Sequence, residues 1–388
     1  VEEPAGEGLR MGGFREVEGA ASDPSIVTDR PYNLSSIFNH LNRGKRAIAI
    51  DLSVPRGREV LLGLVAQSQI VVENYRPGVM EALGLGFETL REANPAIILG
   101  SNGGYGHSGP YSGYRGYGVA VEPMSGLFSV TGYEGSHPQR SGVDHPDPQA
   151  GLSMASGLLV ALYRQRRTGN GQHMKTSLLR AMAACFTPRV IEYRATGEVP
   201  TRHGNDSEAY SPHDVYRCAG EDDWIALAAT DDGQWQALAA TAASDSPAAT
   251  DWGSDPRFAS VEGRREYRAA LDEAIEAWTA GHDKHKLMRE LQAAGVPAGV
   301  VYTPPEVLAD PHLEERGYWV ELDEPDGGLQ RYDGSPLRFD GERGYEQWAA
   351  APGLGADNAA VLEGLLGLSA EDVAALYEAQ VIVDRPPG

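Results

Sequence analysis

Arg46-Ala-Ile-Ala-Ile-Asp-Leu52 reads as an alternating strand with β-branched residues, and the segments around it decide the fold class. Pro55 suits the first position of a helix, and the pattern predicts one over 55–66 with Leu61, Leu62 and Val65 on one face. A second strand is expected in Gln69-Ile-Val-Val-Glu-Asn74, broken by Arg76-Pro77-Gly78. Short helices over 79–83 and 87–93 lead to a third strand, Ala96-Ile-Ile-Leu-Gly100. Strand and helix alternating in this order is the signature of a parallel α/β layer.

Downstream, residues 101–118 are rich in Gly, Tyr and Ser and read as a long loop. The best helical pattern of the chain spans 148–166 and ends at Thr168-Gly-Asn-Gly171. A strand over 173–177 and a helix to about 195 follow. From Gly204 the texture changes to a hairpin, 215–218 with 224–228 around Gly220-Glu-Asp-Asp223, and helices over 233–241, 264–280 and 285–294. The expected organisation is a large domain over 1–200, a smaller α+β domain over 201–310 and a C-terminal segment over 311–388. That last segment holds short strands at 319–339 and two helices at 357–380.

A chain of 388 residues is longer than one core usually needs, which agrees with two domains. Hydrophobic residues make up 41% and charged ones 23%, as in an ordinary globular protein. No window supplies the roughly 18 consecutive apolar residues of a membrane span, and residues 1–12 carry no secretory pattern. A net charge of −22 argues against nucleic acid, although a local basic pocket still admits a polyanionic ligand. Cys185 and Cys218 form neither a disulfide framework nor zinc spacing, which fits a reducing, cytoplasmic setting. His282 and His285 lack the companions of a metal site, so none is expected.

Asp147 stands in His145-Pro-Asp-Pro148, directly before the long helix. With Pro148 at the first helical position, Asp147 is the expected N-cap, and the helix end should keep its carboxylate ionised. The plain alternative is a cap and nothing more, contributing roughly 0.5–2 kcal/mol. Asp144 is a rival carboxylate that pattern alone does not separate from it. Gly104-Tyr-Gly106-His-Ser-Gly109 is a literal G-x-G-x-x-G after a strand, but Pro110 and Gly113 follow where a dinucleotide site needs a helix. What survives is a loop of small residues whose N–H groups can approach a ligand closely. Neither Ser108 nor Ser153 sits in a nucleophile elbow.

Leu41-Asn-Arg-Gly-Lys-Arg46 with Asp51-Leu52, Val72-Glu-Asn-Tyr-Arg-Pro-Gly-Val-Met80, Gly84-Leu-Gly86, Asn94-Pro95, Gly104-Tyr-Gly106 with Ser108-Gly-Pro-Tyr111, Met124-Ser-Gly-Leu127 and Arg167-Thr-Gly-Asn-Gly-Gln172 occur in that order. Gly204-Asn205, Trp224-Ile-Ala226, Gln234-Trp235, Ala293-Ala-Gly-Val-Pro-Ala298 and Glu306-Val-Leu-Ala-Asp-Pro311 continue it. Together they resemble the family III CoA-transferases, a group that includes formyl-CoA transferase, carnitine CoA-transferase and α-methylacyl-CoA racemase. The resemblance covers almost the whole chain.

The resemblance implies an α/β fold: a Rossmann-like large domain completed by the C-terminal segment, a smaller α+β domain, and two subunits interlocked like chain links. It implies a CoA-transferase working through an aspartyl nucleophile, and the spacing to Ala150-Gly-Leu152 selects Asp147 over Asp144. CoA contacts are implied at Asn74, Tyr75 and Arg76, and basic groups near the nucleotide at Lys45 and Arg46. The loop over 103–109 is the candidate source of oxyanion donors, with the Gly204 loop as the other choice, and Gly104, Tyr105 and Gly106 are candidate CoA contacts. CoA and acyl-CoA enter as substrates with a small carboxylic acid; no permanently bound cofactor is expected.

Two departures bear on the reading. Where the racemases follow Gly with a His that serves as second acid/base, Gly116 is followed by Tyr117, which favours transferase over racemase; a catalytically silent CoA-binding subunit is a separate alternative. Members also carry a strand and helix before the Val-Glu-x-Pro element, which here is Val1-Glu-Glu-Pro4, so this sequence is expected to lack them. Arg115, Arg140 and Arg189 are candidates for an acid's second carboxylate, and equally ordinary surface charges.

Overall fold

The computed structural model of the chain describes residues 1–6, 8, 10, 28–140, 142, 144–343 and 348–387. They form two compact units, one of 1–122, 144–185 and 310–388, the other of 123–143 and 186–309.

In the first, β1 (Ile70–Glu73), β2 (Ile98–Gly103) and β3 (Gln172–Ser177) make a parallel sheet in that order. Register sets Val72, Gly100 and Met174 in one row and Glu73, Ser101 and Lys175 in the next. Helices of the chain that flank these strands in sequence include α1 (Pro55–Ala66), α2 (Val79–Ala82), α3 (Phe87–Ala93), α4 (Gly118–Met124), α5 (Pro146–Thr168) and α6 (Leu178–Thr196). Pro55 does open α1, where its missing N–H costs nothing.

Ile98 buries with Met154, Leu158 and Ala161 of α5. Between them Gly100 has no room for a β-carbon, which would stand 2.8 Å from Met154 Sδ. Leu99 points the other way and buries with Val65, Met80, Leu85 and Leu90. Gln165 Nε2 donates to Ala96 O at 3.2 Å and Gln172 Nε2 to Ala161 O at 2.9 Å. The late turns of α5 therefore lie at the strand starts, and its first turn lies at their carboxyl ends.

The expected strand over 46–52 is not a strand of this sheet. Only Ala49 and Ile50 form bridges, to Glu2 and Ile382. The reason is that its backbone partners are mixed. Glu2 and residues 381–383 supply main-chain bonds, while Asp357 Oδ2 and Asn358 Oδ1 accept from Ala47 N at 2.8 Å and Ala49 N at 3.0 Å. Residues 47–50 are also buried without alternation, and Ile48 and Ile50 join a core with Val361, Leu362, Val373, Leu376 and Ile382.

In the second unit β4 (His213–Arg217) and β5 (Trp224–Ala228) form the expected hairpin, and β6 (Ala298–Val300) adds antiparallel to β5. Their inner face, with Tyr216, Ile225 and Leu227, packs on Trp235, Leu238, Leu271, Ile275, Leu287 and Leu291. The helix expected over 264–280 is two, Val261–Glu266 and Arg268–Thr279. Tyr267 leaves helical geometry between them, and the buried Arg264 guanidinium donates to the carbonyls of Ser211 and Phe258. No helix among the described residues is long and apolar enough to cross a membrane.

Candidate active site

β2 runs three residues beyond its expected end, and a loop leads from it to α4, whose first residue is Gly118. Gly106 and Gly109 adopt positive φ, at 96° and 93°, which lets the chain turn sharply at the sheet edge. Leu179 N donates to Gly104 O at 3.1 Å and so ties the loop to α6. Tyr105 lies edge-on to Tyr111 and Tyr114, with centroids 6.3 and 6.0 Å away. Beneath, Tyr105 packs on a small core of Val121, Ala150, Leu178 and Ala181. Ala150 is one turn beyond Asp147, so the loop with Gly104, Tyr105 and Gly106 shares packing with the helix that carries the carboxylate.

Asp147 is not the N-cap. The cap position is His145, Pro146 is the first helical residue and Asp147 the second. Asp147 N donates to Asp144 O at 3.3 Å. The residue as a whole is exposed, but its carboxylate turns in against buried Gly118. Burial pushes its pKa up and the Asp144 charge adds to this, while a bond from its own N–H works the other way. The expected stabilisation of the anion by the helix end is thus outweighed by tertiary surroundings.

Asn74, Tyr75 and Arg76 leave the end of β1 and are all exposed. Tyr75 N donates to Glu73 Oε2 at 2.8 Å. His107 of the glycine loop stands 3.9 Å from Glu73 Oε1, so the loop and the 74–76 segment meet at one sheet edge. Beside them Ser101 Oγ and His173 Nε2 are 2.8 Å apart. Burial first, then Lys175 and His107, push His173 down to about 4. Lys45 and Arg46 are exposed, and Lys45 Nζ donates to Asn42 Oδ1 at 3.0 Å. Among the described residues, no hydrogen bond or ion pair joins them to Asp147 or the glycine loop. Arg189 is engaged by Glu192 at 2.8 Å and Glu208 at 3.5 Å.

Gly118 and His173 are site neighbours that no local pattern marks, while Glu73 and His107 stand inside motifs of the sequence without being singled out. Among the described residues no cluster of three or more His, Cys, Asp or Glu is arranged to hold a metal. The arrangement offers a carboxylate of raised pKa, a glycine loop and the polar 74–76 segment at the carboxyl edge of a parallel sheet, where α/β proteins bind ligands.

The profile of CoA-transferase family III matches residues 1–358. The chain is 34% identical over 342 residues to succinyl-CoA--D-citramalate CoA-transferase of Chloroflexus aurantiacus, covering 88% of this chain and 83% of that protein. It is 32% identical to succinate--glutarate CoA-transferase of Agrobacterium fabrum, covering 78% and 74%. A crystal structure of a CAIB/BAIF family protein from Brucella suis superposes with a TM-score of 0.79 at 29% identity, covering 94% of this chain and 90% of that one. The mixed α/β fold with its parallel sheet agrees with that neighbour, and the chain belongs to CoA-transferase family III as an enzyme that exchanges CoA between an acyl-CoA thioester and a free carboxylic acid.

Proposed function

We propose that the exchange runs through Asp147 as a covalent nucleophile. The observation that carries this is the carboxylate itself: set against buried Gly118, raised in pKa by burial and by Asp144, and borne on a helix whose Ala150 shares packing with Tyr105 of the glycine loop. A partly desolvated carboxylate is a better nucleophile than a hydrated one, and a thioester is an activated acyl group. A carboxylate oxygen attacks the thioester carbonyl, the C–S bond breaks, and CoA leaves as thiolate from a mixed anhydride. The thiolate then attacks Asp147 Cγ, and the C–O bond breaks to release the first acid and leave an aspartyl-CoA thioester. The incoming acid reverses both steps. One thioester replaces another, so neither ATP nor metal enters the balance. Each tetrahedral intermediate needs N–H donors, worth about 10²–10³ in rate apiece, and the loop with Gly104, Tyr105 and Gly106 is their source in this reading.

In the same reading CoA lies along Asn74, Tyr75 and Arg76, with Lys45 and Arg46 toward its phosphates, on a Rossmann-like domain completed by the C-terminal segment. The relatives named for succinyl-CoA, citramalate and glutarate support short dicarboxylic acids as donor and acceptor. An interlocked homodimer is supported by α5, which exposes Leu152, Leu159, Val160 and Tyr163 at 64–71% as an apolar stripe at helical spacing. A cytoplasmic setting follows from acyl-CoA as substrate.

Intact-protein mass after mixing with succinyl-CoA tests the nucleophile. A CoA-sized adduct is expected on the wild type, lost with hydroxylamine and missing from Asp147→Ala. An adduct that persists on Asp147→Ala and disappears from Asp144→Ala would transfer the role to Asp144.

A further inference from the structure

Gly118 opens α4 and is buried. Its φ lies outside the left-handed region, so its backbone does not call for glycine. Alanine would ordinarily suit a helical position better. What excludes it is space. A β-carbon on Gly118 would stand 2.0 Å from Asp147 Oδ2, 3.2 Å from Asp147 Cγ and 3.5 Å from Asp144 Cβ. The carboxylate occupies the volume that any other side chain at 118 would fill.

We infer that Gly118 is a positioning residue for Asp147, its bare Cα forming the seat that holds the carboxylate in its attacking orientation. The inference rests on Asp147 being the nucleophile. Non-bonded heavy atoms settle at about 3.5 Å or more, so a methyl group at 118 displaces Oδ2 by over ~1 Å. The displaced atom is the free end of a side chain, so it swings outward and leaves the backbone in place. A misplacement of that size costs on the order of 10²-fold in rate when attack geometry is the requirement. Gly113 provides a comparison in the same loop, because a β-carbon there meets nothing within 4 Å.

The test compares wild type, Gly118→Ala, Gly113→Ala and Asp147→Ala with succinyl-CoA and a panel of short dicarboxylic acids. Gly118→Ala is expected to lose about 100-fold in kcat and most of the covalent adduct. Its Kd for CoA should stay within about threefold of wild type, and Gly113→Ala should match wild type throughout. A merely structural role would instead weaken CoA binding and lower kcat together. If Gly118→Ala fails to fold, the seat requires that Gly118→Ala/Asp147→Ala fold as well as Asp147→Ala alone; a double variant as unstable as Gly118→Ala overturns the inference. Wild-type turnover in Gly118→Ala, with Asp147→Ala inactive, overturns the seat and leaves the nucleophile standing. An adduct surviving on Asp147→Ala removes the nucleophile itself.

Discussion

Lys284 in one unit and Asp147 in the other both have pKa values pushed up, and their surroundings are opposite. Lys284 Nζ lies 2.8 Å from both Asp223 Oδ1 and Glu306 Oε1, and donates to Val301 O at 3.2 Å. Burial works against its charge, but the bonds to Asp223 and Glu306 outweigh it and raise the ammonium pKa. Glu306 is held far below the ordinary carboxylate range by Lys284 first, then by the Thr303 N–H, His285 and the Thr303 hydroxyl. Asp147 has a like charge nearby, and its pKa moves up. The satisfied cluster staples β6, the helix Lys284–Ala293 and the turn at Thr303. In the reading proposed above, the carboxylate beside a like charge is the one that reacts.

The sharpest way to break this contrast is to exchange the readouts. Asp147→Ala should lower transfer by about 10³-fold or more and leave the melting temperature close to wild type. Lys284→Met should do the reverse, lowering Tm by roughly 5 °C with kcat within about twofold, because it strands two carboxylates. Parallel transfer assays and thermal melts decide it. A Lys284→Met enzyme that melts like wild type would reduce the cluster to surface decoration.

A smaller effect isolates the like charge. With Asp147 as the proposed nucleophile, transfer requires its ionised form, so kcat/KM should fall as pH drops through its raised pKa. Asp144→Asn removes the second cause of that rise, after burial, and should move this acid limb to lower pH. An unmoved limb would leave burial as the sole cause.

The smallest effect is on stability. A carboxyl whose folded pKa is raised destabilises the fold above that value, and the burden is relieved as pH falls toward the unfolded carboxyl value. Asp147→Asn should therefore raise Tm by about 1–2 °C at neutral pH, modest because the residue is exposed, and the gain should shrink on acidification. The Glu306 cluster has the opposite sign. Its stability is present above the unfolded carboxyl value and is lost as pH falls through the folded one.

What the sequence discloses follows the range over which its causes act. The helix at Pro55–Ala66 and the hairpin of β4 and β5 are written in neighbouring residues, and both stand within a residue or two of expectation. The segment 46–52 looks like an ordinary strand because its alternation is local, while its backbone partners are Glu2 and residues some three hundred positions away at 357–358 and 381–383. Asp147 stands out through the resemblance, not through its own pattern, which describes a helix cap equally well. The direction of its pKa runs opposite to the cap argument, since burial and Asp144 are tertiary facts. Gly118 is one of 47 glycines, and only its contact with a side chain 29 positions on distinguishes it.

The pairing of residues 49–51 with 381–383 also sets a timetable for synthesis. Ile50 leaves the ribosome some 330 residues before Ile382, a wait of roughly 20–60 s at typical elongation rates. Through that interval a strongly apolar segment waits for its partners, while the second unit has its last residue by position 309 and its own core complete. The unit that holds the parallel sheet thus closes the core around Ile48 and Ile50 only after Ile382 has emerged, later than the second unit closes its own.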